Sequence, residues 1–204
     1  MFQDVKASIA LLGVLVLLAT ACGGGTRSSA GGPSVVRELH VEAGSGQIYV
    51  YDPKTQADEE ATEADNPLVR AMEDGYASRR FVGSYHGVID LITPSQASRK
   101  VPMRIEVSHE APPLDADKWD HIVELPLPVP SGKLFFVASG GGTPITAAIP
   151  PGTYRARLSA RGLVAGTGTN AVHDSYRLQL WPSRDRKRVL VKSWRGYDSL
   201  QPPG

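Results

Sequence analysis

From residue 36 onward the chain repeats one pattern. Short runs of alternating apolar and polar residues are cut off by proline or glycine, in a chain of 204 residues with 16 prolines and 21 glycines, and helical spacing develops in one stretch alone. Alternation with period two is the mark of strands with one buried face. Residues 36–42 alternate, with Leu39 and Val41 on one side. Gln47, Ile48, Tyr49, Val50 and Tyr51 form a strand with large residues on both faces. Residues 81–93 read as one bent strand, with Gly83 and Gly87 as bulge positions. Val101, Met103, Ile105 and Val107 alternate cleanly, as do His121, Val123, Leu125 and Leu127. Residues 134–138 are apolar on both faces, the pattern of a central strand. Tyr154, Ala156, Leu158 and Ala160 oppose Arg155, Arg157 and Ser159. Tyr176, Leu178 and Leu180 oppose Arg177 and Gln179, and residues 189–194 add a last strand. The Pro151-Gly152 pair suits a type II turn, joining residues 145–149 to 154–160 as a hairpin, and residues 161–174 form a long glycine-rich hairpin tip. One helix is expected, with Asn66 as N-cap, Pro67 in its first turn, Leu68, Val69 and Met72 on its apolar side and Gly75 ending it. The expected fold is mainly β: a single antiparallel β-sandwich with one short helix.

The N-terminus follows different rules. Residues 9–21 carry no charge and are rich in Leu, Val and Ala. The run is shorter than the roughly 20 residues of a spanning helix and has the length of a signal-peptide core. It ends in Leu18-Ala-Thr-Ala-Cys22, which resembles the bacterial lipobox. Cys22 is the only cysteine of the chain, so it has no internal disulfide partner. Lipidation of Cys22 is therefore expected, and a diacylated cysteine with a further acyl chain gives stable anchoring at about 0.8 kcal/mol per buried CH₂. Residues 23–33, GGGTRSSAGGP, have no apolar face and read as a flexible tether. The expected organisation is a lipoprotein signal peptide at 1–21, the lipidated cysteine and tether at 22–34, one folded domain at 35–198 and a short tail at 199–204. The expected location is the extracytoplasmic side of the cell membrane, held by the lipid.

Net charge is +1, which hides an asymmetry. Residues 22–130 carry 10 basic and 17 acidic residues, net −7, whereas residues 131–204 carry 11 basic and 3 acidic, net +8. Halves that interleave in one sandwich neutralise each other; halves that face apart leave an acidic and a basic side. The acidic stretch Asp58, Glu59, Glu60, Glu63 and Asp65 reads as a solvated loop.

Catalytic patterns are scarce. Residues 166–171 match the dinucleotide fingerprint G-x-G-x-x-A by letter, but the following element reads as a strand, with no helix N-terminus to receive a pyrophosphate. There is no P-loop and no G-x-S-x-G elbow. His40, His86, His109, His121 and His173 lie in no metal-binding spacing, and His121 points away from Asp120 and Glu124 because strand neighbours alternate faces. Asp120 and Glu124 share a face, as the two carboxyls of a hydrolase would. No catalytic centre, metal or cofactor is expected. The candidate ligand-binding residues are Arg155, Arg157 and Arg177, which are expected to project from the solvent side of two strands, with Arg184, Arg186, Lys187 and Arg188 close behind. Such a surface suits carboxylates or phosphates.

Gln47-Ile-Tyr-Val-Tyr-Asp52, a short helical stretch and Gly75-Tyr-Ala-Ser78, then Trp119-Asp-His-Ile-Val-Glu-Leu-Pro126 and Ile149-Pro-Pro-Gly-Thr-Tyr154, occur in an order similar to the competence DNA-entry nuclease inhibitor family. The resemblance spans roughly residues 39–158. It implies a non-enzymatic β-sandwich that binds another protein, such as a nuclease or toxin, and it does not account for the lipobox or the arginine-rich C-terminal strands. The alternatives are an envelope lipoprotein that binds anionic polymer or lipid, and a hydrolase built on Asp120 and Glu124.

Overall fold

The computed structural model describes residues 32–55, 65–95, 97–164 and 174–200. The expected signal peptide, Cys22, the tether as far as residue 31, acidic residues 58–63, the glycine-rich tip with His173 and residues 201–204 lie outside the described residues. In chain order the elements are β1 (Val35–Ala43), β2 (Gln47–Tyr51), α1 (Pro67–Ala77), β3 (Val82–Tyr85), β4 (Val88–Ile92), β5 (Arg99–Val107), β6 (His121–Val129), β7 (Lys133–Ala138), β8 (Ile145–Ala148), β9 (Gly152–Arg161), β10 (Ser175–Pro182) and β11 (Val189–Lys192). Short 3₁₀ turns occupy Ala116–Lys118 and Arg195–Ser199.

The strands form two sheets. One has six strands in the order β1-β5-β10-β9-β6-β11, the other five in the order β3-β4-β2-β7-β8. Their inner faces enclose one apolar core, in which Val41, Met103, Ile105, Val123, Leu125, Leu158 and Leu178 of the first sheet meet Ile48, Val50, Ile89, Leu91 and Leu134 of the second. The mainly β sandwich expected from the alternation is what forms. One pairing, β5 with β10, is parallel, because β10 enters the sheet between strands that come from distant parts of the chain. Both sheets mix strands from the acidic and basic halves, so the charge asymmetry is largely spent inside one structure.

Three local expectations are corrected. Residues 81–93 are not one bent strand but the hairpin β3–β4, in which Tyr85 pairs with Val88 around His86 at φ 45° and Gly87 at φ 84°. Two consecutive positive φ values are the type I′ geometry that reverses a strand in two residues. Gly75 does not end α1; it lies inside the helix, which runs to Ala77. A Cβ on Gly83 would stand 1.7 Å from the Ala71 carbonyl oxygen, and one on Gly75 would stand 3.1 Å from the Gly83 nitrogen. The two glycines thus let the helix lie against the sheet backbone. Finally, Pro151-Gly152 does not close a hairpin. β8 pairs with β7 and β9 with β6 and β10, so the chain crosses from one sheet to the other there. Gly152 is absent from the residues with positive φ, which a type II turn would require. The corner is fixed instead by the Tyr154 hydroxyl, which donates to the Pro150 carbonyl at 2.6 Å.

Asn66 caps α1 as expected, accepting from the Leu68 amide at 2.9 Å. The helix covers the outer face of the five-stranded sheet, where Ala71 and Leu68 pack with Tyr49, Tyr51, Val88, Phe135 and Val137. This explains why β2 and β7 are apolar on both faces. At one end of the sandwich the C-terminal turn seals the core. Tyr197 is fully buried, stacks on Phe81 with ring centres 4.3 Å apart and donates to the Ile92 carbonyl at 2.8 Å.

Candidate functional site: loops fastened by buried arginines

Among the described residues, no α-helix lies over the outer face of the six-stranded sheet. Two irregular segments cover it instead, residues 108–120 between β5 and β6 and residues 183–188 between β10 and β11. Polar outward side chains are what alternation puts there, and the structure shows what they hold.

Arg155 and Arg157 leave β9 on this face, as the alternation requires, yet they are only 4% and 6% exposed. Both grip Glu124 of the neighbouring β6: the Arg155 Nε lies 3.2 Å from Oε2 and the Arg157 Nε 2.8 Å from Oε1. The register causes this, since Glu124 pairs directly with Arg157. Their remaining donors reach into the two covering segments. Arg155 donates through Nη1 to the Lys187 carbonyl and lies 3.6 Å from Asp185. Arg157 donates through Nη1 to the Pro112 carbonyl at 3.0 Å and packs over Trp181 with its guanidinium 5.0 Å from the ring centre.

Arg177 of β10 binds the Asp115 carboxylate with two nitrogens, at 3.0 and 2.5 Å. A planar fork on a carboxylate fixes direction as well as distance. This guanidinium holds the Asp115 carboxyl below the usual carboxylate range, outweighing the partial burial that pushes it up. Arg177 also lies over Trp119, 4.4 Å from the ring centre, with Arg161 at 5.2 Å. From β11, Lys192 donates to the Ala116 and Trp119 carbonyls at 2.9 and 2.6 Å.

Residues 108–120 are therefore tied down at both ends and along their length. The Ser108 amide donates to Leu180 and the Asp120 amide to Ala160, at 2.9 and 2.8 Å. Between these ties Pro112 and Pro113 restrict the backbone. Leu114, between Pro113 and Asp115, is 50% exposed, although both neighbours are fastened from below. An irregular loop of this length in a compact domain is usually functional.

The three candidate arginines thus lie on one face, each engaged with a carboxylate and two of them with loop carbonyls. They are covered rather than presented to solvent as their alternation led one to expect, whereas Arg184, Arg186, Lys187 and Arg188, the basic residues close behind them, are exposed. Sequence reasoning missed Asp115, Lys192 and the Pro112-Pro113-Leu114 tip. The paired prolines were the available signal, but the arginines that fix them lie more than 40 residues away. Asp120 and Glu124 do not act together: Asp120 accepts from the Leu163 amide at 3.2 Å, while Glu124 is clamped by the two arginines. Among the described residues, no group of three or more His, Cys, Asp or Glu side chains is placed to hold a metal ion.

His121 is fully buried. Its Nε2 lies 2.6 Å from the Arg80 carbonyl, and its Nδ1 accepts from the Trp194 amide at 3.2 Å. The ring is thus neutral, with its proton on Nε2. Burial pulls its pKa down to about 4, against the opposing pull of the Arg80 carbonyl. His40 and His109 are exposed.

No family model and no curated protein matches the chain. Two solved structures resemble it in overall layout. One is described as crocagin biosynthetic gene J, with 15% identity, a TM-score of 0.46, and 74% of this chain and 98% of that chain covered. The other is ComJ, inhibitor of the DNA degrading activity of NucA, from Bacillus subtilis, with 10% identity, a TM-score of 0.47, and coverage of 72% and 96%.

Proposed function

We propose that this chain is a non-enzymatic binding module, held by lipid on Cys22 at the extracytoplasmic side of the cell membrane, that presents residues 108–120 to a protein partner. The observation that carries this reading is the fastening of the loop. Arg157 of β9, Arg177 of β10 and Lys192 of β11 hold its backbone and the Asp115 carboxylate, and Leu114 stands out at its tip. A loop ordered before binding avoids the ordering cost of about 0.5–1.5 kcal/mol for each immobilised side chain. Leucine is uncommon among interface hot spots, so it is the fixed position of Leu114, not its residue type, that favours it as a contact point. The resemblance in sequence to the competence nuclease inhibitors makes an extracytoplasmic nuclease the partner class to try first. The apolar run before Cys22 and the lipobox-like sequence support the anchor.

The test is affinity capture with cross-linking from envelope extract, using wild type, Leu114→Asp and Arg157→Gln. Wild type should retain one stoichiometric protein. Leu114→Asp, at a half-exposed position, should lower that retention about tenfold or more with unchanged secondary structure, and Arg157→Gln should weaken it while Leu114 is intact. Equal retention by wild type and Leu114→Asp would remove the loop from the interface. The anchor is tested separately: Cys22→Ala should abolish labelling by a fatty-acid analogue and move the protein to the soluble fraction.

A further inference from the structure

The register of the six-stranded sheet fixes where the chain leaves for its tether. Val35 at the start of β1 pairs with Val107, Val107 with Leu180, Leu180 with Ala156 and Ala156 with Leu125. On the edge strand, Val189 pairs with Glu124, one residue from that row. The start of β1, the end of β10 and the start of β11 therefore lie at one end of the sheet. Residues 183–188, which join β10 to β11, span this end, where the Ser183 amide donates to the Thr153 carbonyl at 3.1 Å. The described chain exits there too, with Ser34 bound to the Val107 carbonyl at 2.7 Å.

This end is strongly basic. Arg184, Arg186, Lys187 and Arg188 are all exposed. Among the described residues Arg184, Arg186 and Lys187 have no carboxylate partner, and Arg188 reaches Asp74 only at 3.6 Å. The acidic groups nearby are Asp185, drawn toward Arg155, and Asp74, which also serves Arg80 at 2.6 Å. The segment is built rather than loose: Arg155 holds the Lys187 carbonyl, and Asp185 accepts from the Lys187 amide at 2.9 Å. Arg184, Arg186 and Arg188 line a cleft of about 750 Å³ together with Asp185, His86, Pro126 and Pro128.

We infer that Arg184, Arg186, Lys187 and Arg188 rest on anionic phospholipid headgroups of the membrane to which the chain is tethered. This rests on the anchored reading above. Crossing from β1 to β11 is five strand spacings, about 24 Å at roughly 4.8 Å each, whereas the chain from Cys22 to Gly32 can extend on the order of 35 Å. An anchor at this end keeps the cluster within reach of the surface and raises its effective concentration there. Basic residues next to an anionic leaflet are the usual second signal beside an acyl chain.

The experiment reconstitutes the full lipidated chain into vesicles of phosphatidylcholine alone and of phosphatidylcholine with phosphatidylglycerol, and follows backbone amide exchange across residues 183–190. Exchange should be several-fold slower on the anionic vesicles. The difference should vanish at high salt, because exposed charges are screened within about 3 Å at 1 M, and it should be lost in the quadruple change of Arg184, Arg186, Lys187 and Arg188 to Gln, with thermal unfolding unchanged. Equal exchange on the two vesicle types would overturn the inference, as would slowing that needs added envelope protein or that inorganic phosphate reproduces without anionic lipid. Failure of the anchor reads differently: the protein would then leave the neutral vesicles altogether.

Discussion

Replacing His121 by Gln should flatten the acid limb of the stability curve, and the size of the effect follows from the geometry around the ring. The imidazole is fully buried, and its Nδ1 accepts the Trp194 amide. A second proton would have to sit on Nδ1, facing that N–H, on a ring that is fully buried. Hence the folded state holds its pKa near 4, against an ordinary value of 6.5. Above pH 6.5 the ring is neutral in both states and the full contribution is present. As pH falls through 6.5 the unfolded chain takes up a proton and the folded chain does not, so stability declines until about pH 4. At 1.36 kcal/mol per unit, the loss by pH 4 is about 3 kcal/mol. Urea unfolding of wild type and His121→Gln across this range isolates the term, because the carboxylates titrate alike in both. The difference between the two should shift by about 3 kcal/mol from pH 7.5 to 4, against wild type in acid. A constant difference, or an imidazole resonance in the folded protein that titrates at 6 or above, would refute the tautomer and the buried contact with Trp194.

Asp90 predicts the opposite sign. Its two carboxyl oxygens are buried without a hydrogen-bond partner among the described residues, and burial holds its pKa well above 3.8, so its stability term is present in acid and lost as pH rises. Asp90→Asn should stabilise the protein at pH 7 and have little effect at pH 3.5, read by urea midpoints. Glu124→Gln should destabilise by about 3–5 kcal/mol, since it leaves Arg155 and Arg157 buried without their shared carboxylate; a shift in thermal midpoint as small as that of a surface substitution would contradict the clamp.

The strands were legible because a sandwich buries one face of each, and burial writes period two into the sequence. Tyr154, Ala156, Leu158 and Ala160 turn inward and Arg155 and Arg157 outward, as their spacing required. What local pattern does not carry is the partner of each strand. Residues 145–161 have the letters of a hairpin, but the segment switches sheets because β7 already offers an edge to β8 and β6 one to β9. Likewise a bent strand and a two-residue hairpin have the same alternation, and only the positive φ of His86 and Gly87 separates them. The arginines leave the face opposite the core as their alternation requires, but what covers them comes from elsewhere in the chain, residues 108–120 over Arg157 and Arg177 and residues 183–188 over Arg155. The opposite charges of the two halves were the one sequence trace of that arrangement, since Asp115 and Glu124 belong to the acidic half and Arg155, Arg157 and Arg177 to the basic half.

Why ion pairs should occupy that face bears on what the loop does. A buried pair is weak evidence for stability, because apolar side chains of similar volume often hold a structure equally well. Leucines in place of Arg157, Glu124 and Arg177 would still cover the sheet. They would not select one position for the loop, since apolar contact has little directionality. A guanidinium bonded to the Pro112 carbonyl and to Glu124, beside another forked onto Asp115, fixes the chain on both sides of Leu114. That directional hold matters little to a loop that merely connects β5 to β6. It matters to a loop whose tip must meet a partner in one geometry, where disorder would directly reduce affinity.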